Sequence, residues 1–283
     1  MIQKCLAVVL ALTAAAPAFA APSAVVEGLA LPAWIVRDGR RLPIAPGQAV
    51  AVGEAVVTGR GSRALLRLDD GSAVKLGENT RFVVSSAAST DGASPLFRAT
   101  LRVLAGAFRF TTSALVKQRM QRDVTIQLPT VTAGIRGTDL WGKATEDREF
   151  VVLIEGKIGV RRGQEAEVGM DRPMTVFDAP KGAPTPPLVT IPAGDLAKAA
   201  AETEIAPGSG GLRTDGAWKV IVVSTRAQDA ALAAYDRLRD AGYPAMIDPR
   251  GRGAATVYRV RLGGLPSRED AEVLAKRIGA DFD

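Results

Sequence analysis

From Val25 to Val160 apolar and polar residues alternate in short runs separated by Gly, Asp and Asn, and hardly any stretch has the period of a helix. Ala64, Leu66 and Leu68 alternate with Arg63, Leu65 and Arg67, and Asp69-Asp70-Gly71 then leads into Ala73-Val74-Lys75-Leu76. An Asp-Gly turn between two such runs predicts a β-hairpin. Phe108 and Phe110 flank Arg109, and Val124, Ile126 and Leu128 alternate with Thr125 and Gln127, so each strand offers one apolar face. Phe150-Val151-Val152-Leu153-Ile154 is apolar on both faces and stops at Glu155-Gly156, the pattern of a central strand closing on a tight turn. Many short strands with regular turns predict an all-β sandwich or roll.

Beyond Asp178 the pattern dissolves into Ala179-Pro180-Lys181-Gly182-Ala183-Pro184-Thr185-Pro186-Pro187 and later Pro207-Gly208-Ser209-Gly210-Gly211. Proline stretches a chain and Gly-Ser loosens it, so residues 179–214 are expected to be an extended, mobile tether, with a short helix between Asp195 and Glu204. Regularity returns in tandem. Trp218-Lys219-Val220-Ile221-Val222 matches Tyr258-Arg259-Val260-Arg261-Leu262 as a strand, and Thr225 with Gln228 matches Ser267 with Asp270 as a helix cap and its N3 partner. Ala231, Ala234, Tyr235 and Leu238 then share a helix face, as do Ala271, Leu274, Ala275 and Ile278, with residues 218, 231 and 238 each 40 positions before 258, 271 and 278. Adding Ala245-Met246-Ile247 as a strand gives a βαββαβ plan, a small α+β domain of ferredoxin or RNA-recognition type with both helices on one sheet face. The same offset puts the last strand past Asp283, so it is expected to be shortened or missing.

Strand alternation places Trp218, Val220, Val222, Tyr258, Val260 and Leu262 beneath the helices, and Lys219, Ile221, Val223, Val257, Arg259 and Arg261 on the uncovered face. Guanidinium groups can hydrogen-bond sugar hydroxyls or carboxylates, and an aliphatic floor can support a sugar ring. A solvated face with two arginines fits the same pattern.

Two resemblances sharpen this picture. Gly53-Glu54-Ala55-Val56-Val57-Thr58-Gly59, Leu66-Arg67-Leu68-Asp69-Asp70-Gly71-Ser72 and Leu76-Gly77-Glu78-Asn79-Thr80 resemble the early blocks of the FecR-like domain family. Leu104-Ala105-Gly106-Ala107-Phe108, Leu128-Pro129-Thr130, Ile135-Arg136-Gly137-Thr138 and Ile154-Glu155-Gly156-Lys157-Ile158 are similar to its later blocks, in order. That resemblance implies an extracytoplasmic sensing or interaction module, with Arg136, Gly137 and Thr138 serving a turn or a partner contact. The region from Ala217 onward resembles the SPOR family through Trp-x-Val at 218–220, Ser224, Leu238 to Gly242-Tyr243, the 258–263 strand and Glu269-x-x-Glu272. It implies binding to peptidoglycan glycan strands stripped of stem peptides, often with recruitment to the division septum. Ile221, Ser224, Val257, Arg259 and Arg261 are the glycan-binding candidates, although the family often has glutamine at the position of Ile221 and an aromatic near Val257.

The N-terminus decides where such a protein works. Lys4, an apolar run from Cys5 to Ala16 and Ala18-Phe19-Ala20 have the order of a secretory signal, cleaved after Ala20. The run is shorter than the roughly 20 apolar residues of a spanning helix, and no later stretch is long enough either. The expected architecture is therefore a signal peptide over 1–20, a FecR-like β domain over 21–178, a linker over 179–214 and a SPOR-like domain over 215–283, in the periplasm.

Composition narrows the chemistry. The 283 residues include no histidine, and the one cysteine lies in the leader, so Ser/His and Cys/His catalysis and most zinc or copper sites are excluded. No cofactor is expected. Carboxylates are plentiful, but none stands in a recognisable glycan-cleaving setting, so the chain is not expected to be an enzyme. The net charge of +6, one unit less without Lys4, suits an anionic envelope surface or simple solvation. An uncovered face without aromatics, together with export, argues against RNA. The expected partners are denuded glycan and an unknown envelope protein, and a FecR-type regulator of transmembrane signalling is the alternative.

Overall fold

A computed structural model describes residues 22–90, 96–112, 121–135 and 137–282. The expectations placed on Cys5, Ala20 and Arg136 lie outside them. The N-terminal part is mostly β-sheet and the C-terminal part a small α/β region.

The β part has two layers that share one long strand, Leu96–Thr111. Its first portion pairs with Arg81–Thr90 and, in parallel, with Gln121–Gln127. Its last portion, from Gly106, pairs with Asp139–Ala144 and Ala73–Leu76 in the other layer. The strand changes layer at Gly106, whose φ is +87°. A Cβ there would lie 2.2 Å from Thr80 Oγ1, and Thr80 is fully buried with its hydroxyl donating to the Ala107 carbonyl at 3.1 Å. Only glycine fits both the left-handed backbone and the space.

The alternating patterns fold as the sequence predicts. Arg63–Leu68 and Ala73–Leu76 form a hairpin around the Asp-Gly turn, and Phe108, Phe110, Val124 and Ile126 are buried. Arg148–Glu155 lies between two neighbouring strands and ends at Gly156, whose φ is +96°. Asp70 ties its hairpin to the opposite layer by accepting from Arg122 Nε at 2.7 Å, with side-chain exposures of 0% and 4%. The same carboxylate accepts from the Ser72 amide and hydroxyl, so the buried charge is compensated by several donors. Glu149, also buried, accepts from the backbone amides of Thr130 and Val131 and holds the Pro129-Thr130 turn.

The segment expected to be a mobile tether is folded onto the β part, which corrects that expectation. Val189–Thr190 extends the sheet along Thr175–Pro180, and a helix, Ala193–Ala201, lies over the same layer. Ala199 and Leu196 of the helix pack with Trp141, Val152 and Val176. Beyond it Glu202 meets Lys143 at 2.8 Å, and Glu204 pairs with Lys75 and lies 3.6 Å from Arg109. Leu212–Arg213 then pairs with Gly28 and Leu29 on the edge of the first strand. The Pro and Gly content is real, but the apolar side chains between them have places to go.

The C-terminal part is seated against the β part. Its first helix, Gln228–Asp240, ends in a Schellman arrangement: Tyr243 N donates to Leu238 O and Gly242 N to Arg239 O. Gly242, at φ +87°, carries the contact, because a Cβ there would lie 2.4 Å from the Trp34 ring. Around it, Ala33 N donates to Gly242 O at 3.2 Å and Trp34 Nε1 to Asp240 O at 3.4 Å. From the second helix, Arg277 donates to Leu31 O at 2.8 Å and Ser209 O at 3.3 Å. Asp270, capped by Ser267, accepts from Gly210 N at 2.9 Å, so the predicted Ser267 cap also anchors the preceding segment. Buried residues of both parts form one cluster.

Two predictions follow from this packing. Gly106→Ala is expected to cost about 2–5 kcal/mol through backbone strain and overpacking, read as a melting temperature roughly 5–15 °C lower. In limited trypsinolysis, residues 181–213 of the native protein are expected to resist cleavage. Gly242→Val, which drives a side chain into Trp34, is expected to speed cutting there about tenfold or more as local opening becomes easier.

Candidate functional site

The C-terminal sheet has three antiparallel strands in the order Trp218–Thr225, Val257–Leu265, Met246–Arg250, followed by the helix Arg268–Phe282. The fourth strand of the expected βαββαβ plan is not among the described residues, so the plan seen is βαββα. Both helices cover one face, packing Ala231, Leu238, Leu274 and Ile278 over Val260, Leu262 and Leu265. The other face is open.

Register fixes which side chains reach the open face. Ile221 pairs with Arg261, which pairs with Met246. In the next row Ser224 pairs with Arg259, which pairs with Asp248, and Val257 opposite Arg250 follows. Cross-strand partners lie on the same side of a sheet. The five residues singled out from sequence, Ile221, Ser224, Val257, Arg259 and Arg261, therefore share one surface. Ser224 is there because of a β-bulge between Ile221 and Val223 that leaves Val222 without a cross-strand partner. Strict alternation puts Val223 outside, but the bulge turns it inward against Val260, and Val222 also packs on the core.

Two other expectations are corrected. Trp218, expected in the core, is 48% exposed, because its strand is an edge and a register shift at Lys219 displaces it. Thr225 does not cap the first helix: the cap position is Ala227, and the Thr225 hydroxyl accepts from the Ala227 amide at 3.1 Å one step earlier.

The electrostatics of the open face are uneven. Asp248 accepts from Arg250 at 2.8 Å and lies 3.6 Å from Arg261 Nε, which is shielded from solvent and makes no hydrogen bond. Arg259 is exposed and has no ion pair or hydrogen bond among the described residues. Ile221 and Met246, both 47% exposed, flank Arg261 on its two sides. The arrangement can hydrogen-bond hydroxyls or anions at its centre while a ring lies against an apolar flank. Met246, Asp248 and Arg250 were not singled out from sequence. Only the pairing of their strand with Val257–Leu265 brings them in.

The turn candidates of the β part behave differently. Gly137 sits at φ +86°, and Thr138 is fully buried, its carbonyl accepting from Thr112 N. Asp139 is held by Arg109 at 2.7 Å, a hydrogen bond that raises the guanidinium's pKa above its ordinary value against the opposing effect of burial. Among the described residues there is no group of acidic or cysteine side chains placed to hold a metal, and no helix is long and apolar enough to cross a membrane.

The architecture is that of a pair of modules, a two-layered β unit and a small α/β unit with an open sheet face. Family models give the pair its identity: the FecR protein model matches residues 54–159 and the SPOR domain model residues 214–282. The chain carries a FecR domain followed by a C-terminal SPOR domain. No curated protein matches it. Two crystal structures of a candidate anti-sigma factor from Parabacteroides distasonis ATCC 8503, at 1.65 and 2.50 Å resolution, are similar at 12% identity. They cover 72% and 80% of this chain and 97% and 91% of their own, with TM-scores of 0.40 and 0.41, too low to carry an argument.

The bulge makes adjacent substitutions behave oppositely. Val223→Asp is expected to destabilise the C-terminal unit by about 3 kcal/mol or more, because it buries an unpaired charge, while Ser224→Asp stays within about 0.5 kcal/mol. Chemical denaturation of the two variants, followed by tryptophan fluorescence, checks the register, since strict alternation requires the reverse order.

Proposed function

We propose that this is an exported, non-enzymatic cell-envelope protein that binds peptidoglycan glycan strands through the open face of its SPOR domain and presents its FecR domain to a further envelope partner. The observation that carries the reading is the shared surface of Ile221, Ser224, Val257, Arg259 and Arg261, with Arg259 free to receive a ligand. Guanidiniums flanked by exposed apolar side chains are suited to a saccharide, whose hydroxyls need donors and whose ring faces are weakly apolar. The periplasm follows from the secretory pattern of residues 1–20. The FecR domain supports a second reading, a regulator of transmembrane signalling, and mapping the N-terminus of the exported protein separates the two. An uncleaved leader favours the regulator.

Co-sedimentation of the purified protein with sacculi tests the first reading. Amidase-treated sacculi are expected to retain more protein than untreated ones, and Arg259→Ala is expected to weaken retention about tenfold or more, the scale of one charge-assisted hydrogen bond. Equal retention on both materials, or none, would overturn the assignment of denuded glycan.

A further inference from the structure

The open face does not end at the SPOR domain. At the Arg261 and Met246 row it runs into a groove of about 560 Å³ walled on its far side by the FecR-bearing β part. Side chains between Leu42 and Gln48 form one wall, and Leu212, Arg213, Thr214 and Gly216 form another. The close crossing at the groove's end is made by glycines: a Cβ on Gly216 would lie 2.2 Å from the Gly264 carbonyl carbon, and one on Gly264 would lie 2.9 Å from Arg213 O. The groove is therefore built by the union of the two parts and exists in neither alone.

Its charge is one-sided. Arg213, Arg239 and Arg261 line it, and no carboxylate does. The guanidiniums of Arg213 and Arg239 have no ion pair or hydrogen bond among the described residues, and Arg239 has only a ring contact, 5.2 Å over Tyr235. Arg261 shares its outer side with Asp248, yet its Nε lacks a hydrogen-bond partner. Gln48 also lines it, its Oε1 accepting from Ala45 N at 3.3 Å. Pro43, Pro46, Leu212 and Pro244 supply an apolar lining. Arginine side chains around an apolar recess, with no carboxylate in its lining, select an anion carried on a compact organic body.

We propose that this groove binds the free carboxylate of a peptide-stripped sugar, so that the FecR-bearing part helps read the glycan laid on the SPOR face. The proposal rests on the glycan-binding reading above and deepens it. In intact peptidoglycan the sugar's carboxyl is tied to the stem peptide as an amide. Hydrolysis of that amide leaves a carboxylate on the glycan and an amine on the released peptide. A groove that demands negative charge, at the end of a surface that accepts rings, distinguishes the two forms. Arg261 and Met246 belong to both surfaces, so a strand running over the first presents its sugars to the second.

The test measures affinity by titration calorimetry of the whole protein with soluble amidase-stripped glycan fragments, either carrying free carboxylates or converted to neutral primary amides by carbodiimide coupling. Wild type is expected to prefer the carboxylate form about tenfold, and Arg239→Gln, on an accessible helix end, is expected to abolish the preference while leaving the amide form bound as before. Arg213→Gln is expected to act in the same direction, with circular dichroism confirming the fold. Equal wild-type affinity for both forms, or an unchanged preference in Arg239→Gln, overturns the groove proposal. If Arg259→Ala nonetheless weakens both forms, the sheet-face reading stands alone. Absence of binding to either form by wild type overturns both.

Discussion

Where Leu212 and Arg213 lie against Leu29 and Gly28, two residues of backbone pairing decide how the chain leaves one module and enters the next. After four intervening residues the strand of Trp218–Thr225 begins, so there is too little chain for the second module to wander. Gly216 and Gly264 meet within a distance that no side chain tolerates, and Gly242 closes on Trp34 at the other end of the contact. Hydrogen bonds from Arg277 to Leu31 and from Trp34 to Asp240 then set the remaining angles. The open sheet face, the groove beside it and the exposure of Arg259 all depend on that seating.

Much of the fold is legible in the sequence because it is local. The Asp-Gly turn, the alternation around Phe108 and Val124 and the 40-residue echo between the C-terminal halves each report a short-range constraint, and each has its counterpart in the structure. What escapes is non-local or silent. The bulge at Val222 lies in Val-Ile-Val-Val, where no glycine or polar residue marks a break in period, so alternation places Val223 and Ser224 on the wrong sides. Residues 179–214 have the composition of a tether, but the pockets that receive Leu196, Ala199 and Leu212 are made by strands tens of residues away. The burial of Thr138 is likewise set by neighbours that a linear reading does not supply.

The candidate site shows the same division. Ile221, Ser224, Val257, Arg259 and Arg261 were found from sequence pattern and resemblance, while Met246, Asp248 and the groove arginines enter through strand pairing and docking. This matters for function because the two modules are not independent beads. A SPOR face held against a FecR-bearing unit delivers whatever it binds to a fixed place on that unit. The ion pairs of Glu202 and Glu204 with Lys143 and Lys75 tie the linking segment to the β part, lie on the surface and individually add little.

The two modules form one rigid body. Residual dipolar couplings measured on a single aligned sample, for backbone amides in residues 22–180 and 218–282, address it directly. One alignment tensor is predicted to fit both sets with the orientation described. Two tensors of clearly different magnitude or direction would contradict the account and return residues 179–214 to the role of a mobile tether.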